Sequence, residues 1–281
     1  MTEKKFYGMK NDYMFKAVLQ ENQEVLVNLV ATLMGIPEED ISSCVITNPI
    51  KLGKSINSKE CVLDISLVLN GDITINIELQ IDNEGNWPER SLYYWSKSFD
   101  LLQTGEDYEI LRRTYQIGIL DFTLFKDSPE FYSEYKLQNV QNGRVYTDKL
   151  TIRVLDLTNI ELAGDGEEEL AHWARIFKAE TMEELKQLAS SKEVMQKMIV
   201  TLAKLSEEEE IRQQCEAREK NERDMRSMYK FGLKNGIEQG IEQGKEQMLL
   251  SFVKKGIITV ETAAEELGKS AEEIEKMIKN M

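Results

Sequence analysis

Apolar and polar residues alternate along two neighbouring stretches of the chain, Val62–Leu69 and Ile73–Ile81. Period two marks strands that bury one face. In the second stretch Ile73, Ile75, Ile77, Leu79 and Ile81 share a side, and Thr74, Asn76, Glu78 and Gln80 share the other. In the first, Leu63, Ile65, Leu67 and Leu69 share a side and Asp64 falls on the opposite one. Between them, Asn70-Gly71-Asp72 is turn chemistry. Opposed residues of an antiparallel pair point the same way, so the two apolar faces coincide only across an odd-numbered loop. A three-residue loop pairs Ile65 with Ile77, Leu67 with Ile75, and Asp64 with Glu78. Two carboxylates then stand roughly 4.5–5.5 Å apart at Cβ, which by itself destabilises a sheet. A hard divalent cation, which takes carboxylate oxygens, would turn that cost into a binding site. The plain alternative is a pair of solvated acids on an outer face.

The pattern predicts further elements around this hairpin. From Asn11 to Met34 a helical stripe runs through Phe15, Leu19, Leu26, Leu29 and Leu33 and stops at Gly35-Ile36-Pro37. A first strand is expected between Ile41 and Leu52. Pro88 opens a helix to about Thr104 with Leu92, Trp95, Phe99 and Leu102 at core spacing, and Gly105 ends it. Tyr115–Phe125 reads as a buried strand and Arg144–Leu157 as another. Beyond Gly164-Asp165-Gly166 the pattern is helical throughout. Ser206, followed by four glutamates, reads as the cap of a long charged helix. That helix holds glycines at 232, 236, 240 and 244, each costing about 1 kcal/mol relative to alanine. Such a stripe is either a close helix–helix contact or a loose linker; a self-association helix or tether is favoured. Thr259 and the capping box Ser270-x-x-Glu273 start a terminal pair of helices. Its second helix carries Glu272, Glu273 and Glu275, which suits a packing or partner-binding hairpin better than a major-groove reader.

Composition narrows the chemistry. The 281 residues are 41% hydrophobic, enough for a full core, and no apolar run has the length of a membrane span. The start, Met-Thr-Glu-Lys-Lys, lacks an apolar signal core, and Cys44, Cys61 and Cys215 have no metal-ligand spacing. Free thiols in a reducing cytoplasm are expected. The single histidine, His172, lies in a helical stretch far from the hairpin and reads as structural. Serine–histidine, cysteine–histidine and histidine–metal mechanisms lose their central residue, so any hydrolysis here has to be metal-based. A formal net charge of −15 opposes nucleic-acid binding. Lys51, Lys54, Arg90, Lys97, Arg112 and Arg113 are the local basic groups, and much of the acidic excess lies in the C-terminal third.

Asp64, thirteen intervening residues and then Glu78-Leu79-Gln80 resemble the Asp…(Glu-x-Lys/Gln) core of the PD-(D/E)XK nuclease superfamily. Within it the chain is most similar to the recombination-promoting nuclease/transposase (Rpn) family. Asn11-Asp12-Tyr13-Met14-Phe15-Lys16 resembles that family's N-terminal helix motif. Arg90 through Tyr93-Tyr94-Trp95, with Gly105 and Tyr108, resembles the helix after the metal strand, and Ile117–Phe122 the strand after that. The resemblance spans nearly the whole chain. Leu63 stands where the superfamily's motif has proline, a departure that leaves the metal chemistry untouched.

The resemblance implies an α/β fold: a restriction-endonuclease-like αβββαβ core with a mixed sheet, followed by a helical C-terminal region. Its divisions would be a nuclease-like domain at 1–160, a helical extension at 161–205, a long charged helix at 206–250 and a two-helix unit at 251–281. It implies a metal-dependent DNA endonuclease that hydrolyses phosphodiester bonds and promotes recombination or mobile-element activity. Asp64, Glu78 and the Leu79 carbonyl would hold Mg²⁺ or another divalent cation. Gln80 occupies the position of the usual lysine; its amide orients a water but brings no charge, which Arg90 and Lys16 would supply. Asp12 would be an accessory acid, although Asp12 and Lys16, four apart, equally suit an intrahelical ion pair. Lys16, Arg90 and Tyr94 would face DNA, with Tyr93 beside them. The expected partners are DNA and, through the C-terminal helices, further copies of the chain; no membrane is expected. Two other readings stay open: a catalytically silent DNA- or protein-binding relative, which the net charge favours, and an RNase H-like transposase using Asp64, Asp121 and a distant acid.

Overall fold

The structure, a computed structural model, describes residues 5–50, 65–97 and 107–280, and the chain forms two compact units, Met1–Glu219 and Lys220–Met281. Asp64, Cys61, Lys51, Lys54, Phe99, Leu102 and Gly105 lie outside the described residues.

The N-terminal stripe forms two helices, α1 (Asp12–Glu21) and α2 (Gln23–Met34), where the apolar periodicity predicted one. Asn22 makes the break: its backbone is extended at φ −131° and its side chain accepts from the Val25 N–H, capping the second helix. Asparagine competes with the helix for backbone donors and so favours this role. Gly35, left-handed at φ 64°, ends α2. Strand β1 is short, Cys44–Ile46. The hairpin of β2 (Ile65–Leu69) and β3 (Ile73–Gln80) has the odd-loop register, with Ile65 opposite Ile77 and Leu67 opposite Ile75. Asn70 and Gly71 turn the chain at φ 51° and 81°. Asn70 Oδ1 accepts from Ser42 and Ser43, and its Nδ2 donates to the Asp40 carbonyl, tying the turn to the segment before β1.

Helix α3 (Trp87–Lys97) crosses from β3 to β4 (Arg113–Leu120), which runs parallel to β3 as such a crossover requires. The helix turns Trp87 and Ser91 inward and leaves Leu92 exposed. The predicted apolar face through Leu92 is therefore not the buried one, because the sheet face beneath α3 is the polar one. β5 (Tyr132–Tyr135) and β6 (Leu150–Asp156) complete a mixed six-stranded sheet in the order β1-β2-β3-β4-β6-β5. Strand β6 runs parallel to β4, and β5 is an antiparallel edge. Its sequence, Tyr-Ser-Glu-Tyr, is too polar to announce a strand. This mixed α/β arrangement has the αβββαβ order that the resemblance implies.

Helices α4 (Glu168–Lys178), α5 (Met182–Ala189) and α6 (Glu193–Glu207) share one core with α1, α2 and the apolar sheet face. Phe15 packs edge-on against Phe177, and Trp173 donates its Nε1–H to Asn28 at 2.9 Å. Residues 161–205 are thus part of the body that carries the hairpin. Ser206 is in the last turn of α6, donating to the Leu202 carbonyl; the break falls at Glu208, and α7 (Glu209–Lys254) follows. The second unit buries Leu249, Leu250, Ala263, Ala264 and Ile274 among the end of α7, α8 (Val260–Leu267) and α9 (Ala271–Lys279). No described helix is long and apolar enough to cross a membrane.

His172 lies in α4, and burial, reinforced by Lys192, holds its imidazole pKa below the ordinary value. A group with a depressed folded pKa stabilises the fold above its unfolded pKa, about 6.5, and loses that contribution as pH falls. The melting temperature should therefore decline between pH 7.5 and 5.5, and His172→Gln should flatten that slope; an unchanged slope would remove His172 as its source.

Candidate active site

Glu78 is carried on β3, an inner strand with β2 on one side and β4 on the other, and is 1% exposed. A carboxylate buried this deeply has to be met by donors or cations. Its sheet neighbour on β4 is Gly118, where a Cβ would come within 2.2 Å of the Trp87 ring. Glycine there lets Trp87 press into the sheet and seats the start of α3. One turn on, at the i+3 position, Arg90 reaches back over the strand. Arg90 Nε donates to Glu78 Oε1 at 2.5 Å. The guanidinium lies 5.3 Å from the Tyr94 ring, the next residue along the same face. Burial opposes the Arg90 charge, yet the adjacent Glu78 carboxylate outweighs it and raises the guanidinium pKa above its ordinary value.

Gln80 completes the group. Its Nε2 donates to Glu78 Oε1 and to the Leu79 carbonyl, both at 3.1 Å. One amide nitrogen thus bridges a carboxylate oxygen and a backbone oxygen. Glu78, Leu79, Gln80, Arg90 and Tyr94, all singled out from sequence, lie together. Asp64, their expected companion, lies outside the described residues, and among those described no group of three acidic, histidine or cysteine side chains could hold a metal ion.

The α1 residues have their own surroundings. Asp12 Oδ2 is 3.5 Å from Arg218 Nε at the start of α7, and its Oδ1 is buried with no hydrogen-bond partner among the described residues. Asn11 caps α1 through the Met14 N–H and donates to the Cys215 carbonyl at 3.2 Å. Lys16, on the same helix, is buried. Tyr93 is exposed, edge-on to Tyr94 at 5.3 Å.

Lys10 and Gln116 were not singled out from sequence, and Asp121 was considered only as an acid of the RNase H-like reading. Lys10 pairs with Asp121 at 2.5 Å, and the Asp121 N–H donates to the Gln80 carbonyl, placing both at the C-terminal end of β3. Gln116 is fully buried beside Asn76, and neither end of its amide has a partner among the described residues. Its signal was available, since alternation along β4 puts Gln116 on the same face as Gly118.

The family model described as PD-(D/E)XK nuclease family transposase matches residues 9–231. The chain belongs to this family. The match opens just before Asn11 and closes one residue short of Gly232, so the glycine repeat and the two-helix unit lie beyond it. Comparison with curated proteins and with solved structures found no match. Membership in the PD-(D/E)XK nuclease family transposases supports a nuclease-type function and removes the RNase H-like reading.

Because Gly118 admits the Trp87 ring, Gly118→Ala should destabilise the protein by roughly 1–3 kcal/mol, the usual cost of overpacking. Denaturant unfolding reads this, and Trp87→Leu in the same chain should restore part of the loss. Full stability of Gly118→Ala would contradict the seating of α3 described above.

Proposed function

We propose that this chain is a metal-dependent DNA endonuclease that hydrolyses phosphodiester bonds and acts in DNA recombination or mobile-element movement. The observation that carries the reading is the buried Glu78 carboxylate, bridged by Gln80 to the Leu79 carbonyl. Two oxygens held around one small donor suit a hard cation, and Asp64, one residue before Ile65, would supply a third. Asp64, Glu78 and Leu79 would hold Mg²⁺ or a similar ion. Bound there, the ion supplies an acidified water and offsets charge on the phosphate.

The chain's own residues do the rest. Gln80, an amide, orients the attacking water by hydrogen bonding. Arg90 brings the positive charge that glutamine lacks and stabilises charge building on the phosphate. Tyr94, against the Arg90 guanidinium, would line the DNA path, and Lys16, buried on α1, would add its charge from within. Asp12 serves as accessory acid, its carboxylate oriented by Arg218. Cys44 and Cys215 take no part: burial pushes their thiols up to about 11 and about 12, so neither is a thiolate at neutral pH. Such inert, reduced cysteines fit a cytoplasmic protein.

Nicking of supercoiled plasmid at low salt, in Mg²⁺ or EDTA, tests the reading. The wild type should nick only with metal, and Asp64→Ala and Glu78→Ala should each lose at least about 100-fold, the scale of removing one electrostatic contributor. Equal activity in all three proteins would point to a contaminant. DNA binding without cleavage would favour the silent relative, which the net charge of −15 supports.

We further infer that copies associate through α7. Met225, Tyr229, Leu233, Ile237 and Ile241 form an exposed apolar row at four-residue spacing, and a Cβ on any of Gly232, Gly236, Gly240 or Gly244 beside it would meet nothing within 4 Å. On the other flank Lys230 and Lys234 precede Glu238 and Glu242, so charge reverses about residue 236. Antiparallel pairing of two copies about that point sets each lysine against a glutamate, which fixes register and partner. Light scattering should show a dimer that Ile237→Glu converts to monomer. Reversing Lys230 and Lys234 to glutamate should also dissociate it, and adding Glu238→Lys and Glu242→Lys should restore it. A monomeric wild type would overturn the pairing.

A further inference from the structure

Among the described residues, Glu78 Oε1 accepts from Arg90 Nε at 2.5 Å and from Gln80 Nε2 at 3.1 Å. A cation taking this oxygen would compete with both donors. The Arg90 guanidinium also neutralises a carboxylate that is 1% exposed, so it acts as the buried acid's counter-ion. Two cations at one carboxylate oxygen repel each other strongly in a partly buried site. Arg90 is not enclosed by the carboxylate: its side chain is 30% exposed, and its guanidinium already lies over the Tyr94 ring, a contact it can keep on leaving Glu78.

Resting on the metal-site reading above, we propose that Arg90 is an exchangeable counter-ion. It occupies Glu78 Oε1 in the free protein, yields that oxygen when a divalent cation binds, and is then presented on the Tyr94 side to a phosphodiester oxygen. Gln80 would turn its amide in the same exchange, since its nitrogen donates to Glu78 Oε1 and to the Leu79 carbonyl, the oxygens that would hold the cation. Arg90 therefore weakens cation binding in the absence of DNA. Phosphate, by giving the released guanidinium a partner, strengthens it. By linkage the effect is reciprocal: the cation tightens DNA binding through Arg90.

The test is Mn²⁺ binding to metal-free protein without DNA, followed by the electron paramagnetic resonance of free Mn²⁺. It compares wild type with Arg90→Met, Arg90→Gln and Glu78→Gln, all checked for native far-ultraviolet circular dichroism. Removing a charge-assisted hydrogen bond that competes for the site should tighten Mn²⁺ binding about 10-fold or more in the Arg90 variants. Glu78→Gln should bind weakly or not at all. In EDTA, Arg90→Gln should melt below wild type, and Mn²⁺ should raise its melting temperature by more. Equal or weaker Mn²⁺ binding in both Arg90 variants, with wild type binding through Glu78, would overturn the exchange and leave the metal site standing. No Mn²⁺ binding by any of the four would overturn both.

Discussion

A carboxylate buried in the middle of a sheet cannot stand alone, and the organisation of the first unit follows from how Glu78 is compensated. Desolvating an unpaired carboxylate costs several kcal/mol, a large fraction of the stability of an ordinary domain. The compensating guanidinium has to come from an element lying across the polar face of β3. Only a crossover can cover that face between two parallel strands, and α3 is that crossover. Its first residue, Trp87, fixes the helix by filling the space Gly118 leaves, and the helical repeat then carries Arg90 over the acid. Strand direction, the glycine and the ion pair are therefore one construction. Altering any of them acts on Glu78.

The other face is apolar and broad, and this explains why 161–219 shares one unit with the hairpin. Leu67, Ile77, Ile117 and Leu155 need cover that α1 and α2 share with α4 to α6 in one continuous core. The start of α7 closes the body further through the Cys215 carbonyl on Asn11, Arg218 on Asp12, and an ion pair between Lys5 and Glu219. The family match continues to residue 231, past all three contacts. The N-terminal motif is thus held by a helix some two hundred residues later, and Asn11 and Asp12 owe their positions to both ends of the unit.

What could be read from sequence was whatever a short-range pattern dictates. Parity fixed the hairpin register, because a one-residue slip would have turned Ile65, Leu67, Ile75 and Ile77 outward. The αβββαβ order followed from periodicity and from the resemblance. Misreadings came where side-chain chemistry overrode periodicity. Asn22 broke a stripe that hydrophobic spacing alone would have continued, and Ser206 bonded backward within α6 instead of capping the next helix. The buried face of α3 was misjudged because it lies on polar residues, where Trp87 and Ser91 pack while Leu92 stays exposed. In the site, Glu78, Gln80 and Arg90 were legible through the motif. Lys10 and Arg218 were not, since their partners, Asp121 and Asp12, are far away along the chain.

Glutamine at position 80 becomes intelligible once the counter-ion is placed. A lysine two residues after Glu78 would point to the same side of β3 and put a second positive charge on the carboxylate that Arg90 already neutralises. Glutamine avoids that repulsion while still filling the bridging position between Glu78 and the Leu79 carbonyl. The positive charge thus moves from the strand to the helix. On the strand it would be fixed in place by the sheet. On α3, at the end of a long side chain beside Tyr94, it has the freedom to change partners that the proposed exchange requires.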